Sequence, residues 1–110
     1  MQILLPGKQI EESAYKDFLL EILADKYSRA VLESTRECPK SAKQLSQECN
    51  MPICTTYRRV QGLYDRKLLS ISGTINENGK KFFLYKSKVS GITSCFNKGS
   101  VEVEIIPNNS

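Results

Sequence analysis

The sequence predicts an α+β fold in which four helices are followed by two β-hairpins. Up to Leu68 the apolar residues recur every three or four positions, as on one side of an amphipathic helix. After Leu68 they alternate with polar residues, as in a strand with one buried face. Asn78-Gly79 and Asn97-Lys98-Gly99 are turn sequences within this alternating part. The 110 residues are enough for one domain, 1–110, and leave no room for a second core.

Two helices are expected before residue 40. The first extends from Glu11 to Leu23 and the second from Asp25 to Glu37, where Pro39 ends it. Asp25 could cap the second helix or interrupt a single longer one, so the N-terminal part has three or four helices. The stripe of the first helix consists of Ala14, Tyr15, Phe18, Leu19, Ile22 and Leu23.

A helix-turn-helix unit is expected from about residue 41 to residue 67. Ser41 and Gln44 have the spacing of a capping box, which predicts a short helix that ends near Cys49. Asn50 tolerates the left-handed backbone of a tight helix exit, and Pro52 suits the entry to a longer helix. The inward stripe predicted for this longer helix, which ends near Lys67, consists of Thr56, Val60, Leu63 and Tyr64.

The two hairpins are predicted at about 68–88 and 91–106. In the second hairpin Val101, Val103 and Ile105 would face the core, with Glu102 and Glu104 on the opposite side. Pro107 and the polar residues after it are expected to be loose. The first hairpin would serve as a wing, and the whole pattern is that of a winged helix-turn-helix domain.

The residues expected to meet DNA occur in both helices of the helix-turn-helix unit and in the wing. Such a domain places its second helix in a major groove, while lysines on the wing reach the phosphates or the minor groove. Lys86 and Lys88 extend the same basic surface, whereas Tyr57 could also pack half-buried against the wing. The DNA-contacting residues predicted here are Lys40, Lys43, Cys54, Thr55, Tyr57, Arg58, Arg59, Gln61, Lys80 and Lys81.

Three stretches of the chain, 25–34, 39–46 and 51–60, resemble the archaeal winged-helix regulators of the ArsR-like group. The resemblance covers roughly residues 20 to 88. It implies sequence-specific binding to double-stranded DNA as a homodimer, and a role in transcription regulation. Cys54 stands where the family usually has serine, and Thr56 where it buries an aliphatic residue. The alternative is a winged helix that binds protein within a transcription or processing assembly, with Arg58 and Arg59 as solvated residues that pair with Asp65 or Glu48.

Several functional classes are not expected. Histidine is absent, which removes Cys-His and Ser-His-Asp nucleophiles, so neither an enzyme nor a cofactor is predicted. The spacing of Cys38, Cys49, Cys54 and Cys95 predicts no metal site, and Cys49 and Cys95 are expected in the core. No apolar run is long enough to cross a membrane and the start has no signal-peptide pattern, so a cytoplasmic protein with reduced thiols is expected.

Cys54 is a candidate redox switch. The first turn of a helix favours the thiolate, and oxidation at a DNA-facing position would weaken binding.

The sequence leaves the dimer interface open. Tyr15, Phe18, Leu19 and Ile22 could belong to the core of one chain or form a two-fold seam, and the second hairpin could flank that seam.

Overall fold

The fold places four helices before two antiparallel hairpins, as the sequence predicts. The computed structural model describes residues 8–9, 13–75 and 78–109, and within them it has α+β architecture. The elements are β1 (Lys8–Gln9), α1 (Ser13–Ala24), α2 (Lys26–Ser34), α3 (Ala42–Glu48), α4 (Ile53–Asp65), β2 (Leu69–Ile75), β3 (Lys81–Ser87), β4 (Val89–Asn97) and β5 (Ser100–Pro107). None of the described helices is long and apolar enough to cross a membrane.

The strands form two separate sheets. In the first hairpin β2 pairs with β3 from Leu69↔Ser87 to Ile75↔Lys81. In the second hairpin β4 pairs with β5 around the turn at Lys98 and Gly99, both of which have the positive φ expected of a tight hairpin. The second hairpin is longer than predicted. A further strand that the sequence did not predict, β1, pairs with β5, so that the order of the three strands is β1-β5-β4.

The core lies between the helices and the two sheets. Thr56, Val60 and Leu63 of α4 are buried, which confirms most of the predicted stripe. Tyr64 is an exception, because its side chain is 43% exposed and the buried face of α4 stops at Leu63. The buried apolar residues are Leu19, Ile22, Val31, Ala42, Leu45, Met51, Val60, Leu63, Leu68, Leu69, Tyr85, Val89 and Val103.

Asp25 caps α2, which separates it from α1. Its Oδ2 accepts hydrogen bonds from the backbone N–H of Ser28 at 3.1 Å and from the Ser28 hydroxyl at 2.6 Å. The same oxygen accepts from Arg59 Nε of α4 at 2.7 Å, so one carboxylate joins the start of α2 to α4. Partial burial by itself raises the pKa of Asp25, but these hydrogen bonds and the Arg59 charge outweigh it and lower the pKa to about 2.

The structure corrects the predicted end of α2. The helix ends at Ser34 and not at Glu37. Thr35 is fully buried, its hydroxyl donates to the carbonyl of Val31 at 2.8 Å, and its own carbonyl accepts from the N–H of Ser87 at 3.1 Å. In a longer helix this carbonyl would have no donor, because the residue four positions later is Pro39 and has no N–H; the first hairpin supplies the donor instead.

Two expectations for the second hairpin were wrong. Glu104 is buried and not solvent-facing, since it lies on the middle strand between Gln9 of β1 and Thr93 of β4, and its Oε1 accepts from the Thr93 hydroxyl at 3.3 Å. The chain after β5 is held in place. Asn108 Nδ2 donates to the carbonyls of Arg36 and Ser87 at 2.8 and 3.0 Å, and Pro107 belongs to β5.

We predict that Asp25→Asn lowers the free energy of unfolding at neutral pH by about 1–2 kcal/mol. Asparagine caps a helix as well as aspartate does, so the loss reports on the negative charge of Asp25, which strengthens its hydrogen bonds with Ser28 and its pairing with Arg59. The folded-state pKa lies below the ordinary 3.8, so this stabilisation is complete above that pH and is lost as pH falls towards 2. Urea unfolding across this range should show the two proteins converge at acid pH. Asp17→Asn, at an exposed position of α1, is the control, and an equal loss at acid and neutral pH would contradict the account.

Candidate nucleic-acid interface

The start of α3 is fixed by the predicted capping box. The Ser41 hydroxyl accepts from the N–H of Gln44 at 3.1 Å, and the Gln44 side chain accepts from the N–H of Ser41 at 2.8 Å. With the helix start fixed in this way, Ala42 is buried and Lys43 is exposed in the first turn of α3.

The turn between α3 and α4 is tight, as predicted. Asn50 has a φ of 53°, and Met51 is buried while its N–H donates to the carbonyl of Ser46. Pro52 precedes α4, and the Thr56 hydroxyl donates to the Pro52 carbonyl at 3.0 Å. Thr56 is buried, and this hydrogen bond satisfies its hydroxyl inside the core.

The first hairpin is attached to the helices by backbone hydrogen bonds. Lys40 N–H donates to the carbonyl of Tyr85 at 3.0 Å, and Tyr85 N–H donates to the carbonyl of Lys40 at 2.7 Å. Alternation along β3 then puts Lys81, Phe83 and Tyr85 on the same face of the hairpin. Since Tyr85 is buried at the base of the hairpin, this is the face turned towards α3 and α4.

A groove lies between this face of the hairpin and the first turns of α3 and α4. We call it the α4–hairpin groove; its volume is about 580 Å³. Tyr85 is its buried part, and burial, with the Tyr57 phenol beside it, raises the pKa of Tyr85 so that its hydroxyl stays neutral. The lining residues are Ser41, Ala42, Lys43, Tyr57, Lys80, Lys81, Phe82, Phe83 and Tyr85. Of these residues, which are the lining residues in the described part of the chain, three are lysines and none is acidic, so the groove is suited to an anionic ligand.

The groove brings together four of the ten predicted DNA-contacting residues. Lys43, Tyr57, Lys80 and Lys81 line it. The side chain of Tyr57 is 55% exposed. Tyr57 is therefore a surface residue of the groove and does not belong to the core.

Three other predicted residues are engaged within the chain. Lys40 Nζ contacts Glu48 Oε1 at 2.5 Å, a hydrogen bond that raises the pKa of Lys40. Gln61 donates to Asp65 at 2.8 Å, and Arg59 pairs with Asp25. Arg59 therefore pairs with neither Asp65 nor Glu48.

The remaining predicted residues lie on α4 outside the groove. Cys54 and Arg58 are exposed and Thr55 is half-buried, so the first two turns of α4 present a thiol, a hydroxyl and a guanidinium. Arg58 lines a separate cavity beside α1 and α2. Lys88, predicted to extend the basic surface, lies instead beside Tyr64 at the other end of α4.

Phe82 and Phe83 are the groove residues that sequence reasoning missed. The alternation after Gly79 predicts a strand that includes Lys80-Lys81-Phe82-Phe83, and it assigns the two rings no role. Consecutive residues of a strand point to opposite faces, so two neighbouring phenylalanines in a one-sided hairpin cannot both be in the core. That signal could have identified at least one exposed ring, and both are exposed here.

The cysteines show no common site. Cys49 is half-buried with its Sγ 3.2 Å from the Ser34 hydroxyl, whereas Cys38, Cys54 and Cys95 are exposed. The expectation that Cys95 is a core residue was wrong, because the distal half of β4 is solvent-exposed. Within the described ranges, no three His, Cys, Asp or Glu residues are grouped so that they could hold a metal ion. The redox role of Cys54 stays a prediction.

Comparison with known proteins identifies no relative of this chain: no protein-family model, curated protein or solved structure matches it.

Proposed function

We propose that this chain is a winged helix-turn-helix regulator of transcription that binds double-stranded DNA and acts in the cytoplasm without an enzymatic step. In this proposal α3 and α4 are the helix-turn-helix unit, α4 is the recognition helix and the first hairpin is the wing. The observation that carries the proposal is the α4–hairpin groove, where three lysines and, among the described residues, no carboxylate line the space between Tyr57 of α4, the start of α3 and the first hairpin.

The first turns of α4 suit contact with a major groove. Tyr57 and Arg58 are exposed there, and Thr55 is half-buried beside them. Hydroxyl and guanidinium groups donate hydrogen bonds to base edges and phosphates, and the N-terminal end of a helix carries a partial positive charge. These side chains would supply sequence discrimination, which phosphate contacts alone do not give.

The lysines would supply most of the affinity. Lys43 on α3 and Lys80 and Lys81 on the first hairpin stand on two sides of the groove, so they can contact phosphates on either side of the inserted helix. The net charge of the chain is only +4. A charge of this size attracts DNA effectively only where the positive side chains are clustered, as they are around the groove. Two acidic side chains near α3 and α4 are paired with cations of the chain, Glu48 with Lys40 and Asp25 with Arg59.

A protein-interaction module is the second candidate. It is favoured by apolar exposure on the first hairpin, where Ile75, Phe82 and Phe83 are all exposed. Aromatic rings of this kind are common in protein interfaces. Such a module would not need the three lysines, and its binding would depend little on salt.

We predict that the double variant Lys80→Gln, Lys81→Gln weakens binding to random duplex DNA and flattens its salt dependence. Each lost phosphate contact lowers the slope of log K against log salt by roughly 0.9. Fluorescence anisotropy with a labelled duplex at several salt concentrations measures both effects. Lys88→Gln removes an exposed lysine at the far end of α4 and should leave affinity and slope unchanged. Salt-independent binding, or none, would favour the protein-interaction module.

We also propose that the protein is a homodimer and that the second hairpin forms its interface. Leu19 and Ile22 of α1 are buried inside the chain, and the Tyr15 hydroxyl donates to the carbonyl of Arg66 at 3.0 Å. The Arg66 guanidinium covers the ring of Phe18 at 4.6 Å. The apolar stripe of α1 is therefore already occupied, which favours a seam elsewhere. Phe96 of β4 is 75% exposed, and β4 is an edge strand among the described strands.

We predict that the purified chain has the mass of a dimer by light scattering and that Phe96→Asp gives a monomer. A charge at the centre of an apolar seam is costly to bury. Ala14→Asp, which places the same charge at an exposed position of α1, is the control and should stay dimeric. If that control dissociates while Phe96→Asp does not, the interface lies at α1.

A further inference from the structure

The aromatic rings of the α4–hairpin groove are not explained by contact with a regular duplex. Phosphates are bound by cations and hydrogen-bond donors, which the lysines and hydroxyls already provide. Four aromatic residues nevertheless line the groove, namely Tyr57, Phe82, Phe83 and Tyr85. Tyr57 and Phe83 are about half-exposed, and leaving such rings in water forgoes the stabilisation that their burial would give. Their placement indicates a ligand with an apolar, planar part.

The ring of Phe83 lies beside the side chain of Lys81 on the first hairpin. The cross-strand neighbour of Phe83 is Gly73, and the Lys81 side chain lies where a side chain at Gly73 would begin. A Cβ added at Gly73 would come within 3.3 Å of Lys81 Cε, so a larger residue there would displace that lysine. The Lys81 ammonium lies 5.4 Å from the centre of the Phe83 ring. A cation and a ring are thus held side by side on the surface that faces the groove.

Tyr57 supplies a second ring from the opposite wall. Within the part of the chain that the structure describes, neither Tyr57 nor Phe83 stacks on another aromatic ring; the stacked pair is Tyr15 and Phe18, on α1. Both rings are about half-exposed, and Phe83 also has the Lys81 ammonium beside it, so each ring keeps exposed surface that a ligand can contact. Lys43 and Lys80 lie around them, so a ligand that joins planar rings to phosphates is complementary to both features.

We infer that the α4–hairpin groove binds unpaired bases of DNA next to the duplex that α4 contacts. This rests on the proposed function. Bases inside a duplex stack on each other and offer no free face, whereas unpaired bases stack on aromatic side chains while lysines hold their phosphates. The preferred ligand is consequently a duplex that ends in, or opens into, a single-stranded stretch, and binding there requires no particular base sequence because every base has a flat face.

The test compares a blunt duplex with the same duplex carrying a short thymine tail. By anisotropy at one salt concentration, the tailed duplex should bind roughly 5- to 150-fold more tightly, the range given by stacking of one base. In Phe83→Ala and in Tyr57→Ala this ratio of affinities should fall towards one. Phe83→Leu, which keeps apolar bulk without the aromatic face, should also lose most of the gain. Circular dichroism checks that each variant is folded.

Tyr64→Ala is the matched control, because Tyr64 is the same residue type on the same helix with similar exposure and lies outside the groove. Its ratio should equal that of the wild type. A 2-aminopurine placed in the tail gives an independent readout, since stacking on a ring should quench its fluorescence in the wild type and in Tyr64→Ala, but not in Phe83→Ala.

The failures of the two proposals are distinguishable. If the wild type binds both DNAs equally, the inference about unpaired bases is overturned and duplex binding stands. If it binds neither, the proposed function falls as well. If the tail improves binding and neither Tyr57→Ala nor Phe83→Ala reduces the gain, the tail is bound outside the groove and the inference is again overturned.

Discussion

The arrangement of the candidate interface depends on two backbone hydrogen bonds between Lys40 and Tyr85. They join the segment before α3 to the middle of β3 and fix where the first hairpin stands relative to α3 and α4. Lys43 follows Lys40 by three residues, and Phe83 precedes Tyr85 by two on the same face. A hairpin without this attachment would be a mobile ribbon, since an isolated two-stranded hairpin is only marginally stable. With it, side chains from three elements share one groove.

Local neutralisation decides which charges of the chain are available. Lys40 and Arg59 are basic and lie within three residues of groove residues in the sequence. Lys40 is nevertheless paired with Glu48, and Arg59 with Asp25. The Lys40–Glu48 pair spans α3, and the Arg59–Asp25 pair joins the start of α2 to α4. The aromatic residues add a second chemistry to the same surface. A surface that combines both is better matched to nucleic acid with accessible bases than to phosphates alone.

Much of the fold could be predicted because its signals are local. The capping box at Ser41, the left-handed Asn50 and the turn at Gly99 each depend on a few neighbouring residues, and all three are confirmed. The errors arose from long-range contacts. The carbonyl of Thr35, just after α2, accepts from Ser87, and the chain after β5 is held by hydrogen bonds from Asn108 to Arg36 and Ser87. No periodicity in the sequence encodes these pairings.

Only part of the candidate site could be predicted, because some of its residues have local signals and others depend on long-range contacts. Charge and turn sequence located the lysines of the first hairpin, but the roles of Phe83 and Arg59 depend on which face of a strand or helix meets which neighbour. NMR titration of the ¹⁵N-labelled protein with duplex DNA tests the central claim most directly. The account predicts that the largest amide shifts fall on Lys43, Tyr57, Lys81 and Phe83, with little change in β4 and β5. Shifts concentrated on the second hairpin, or none at all, would contradict it.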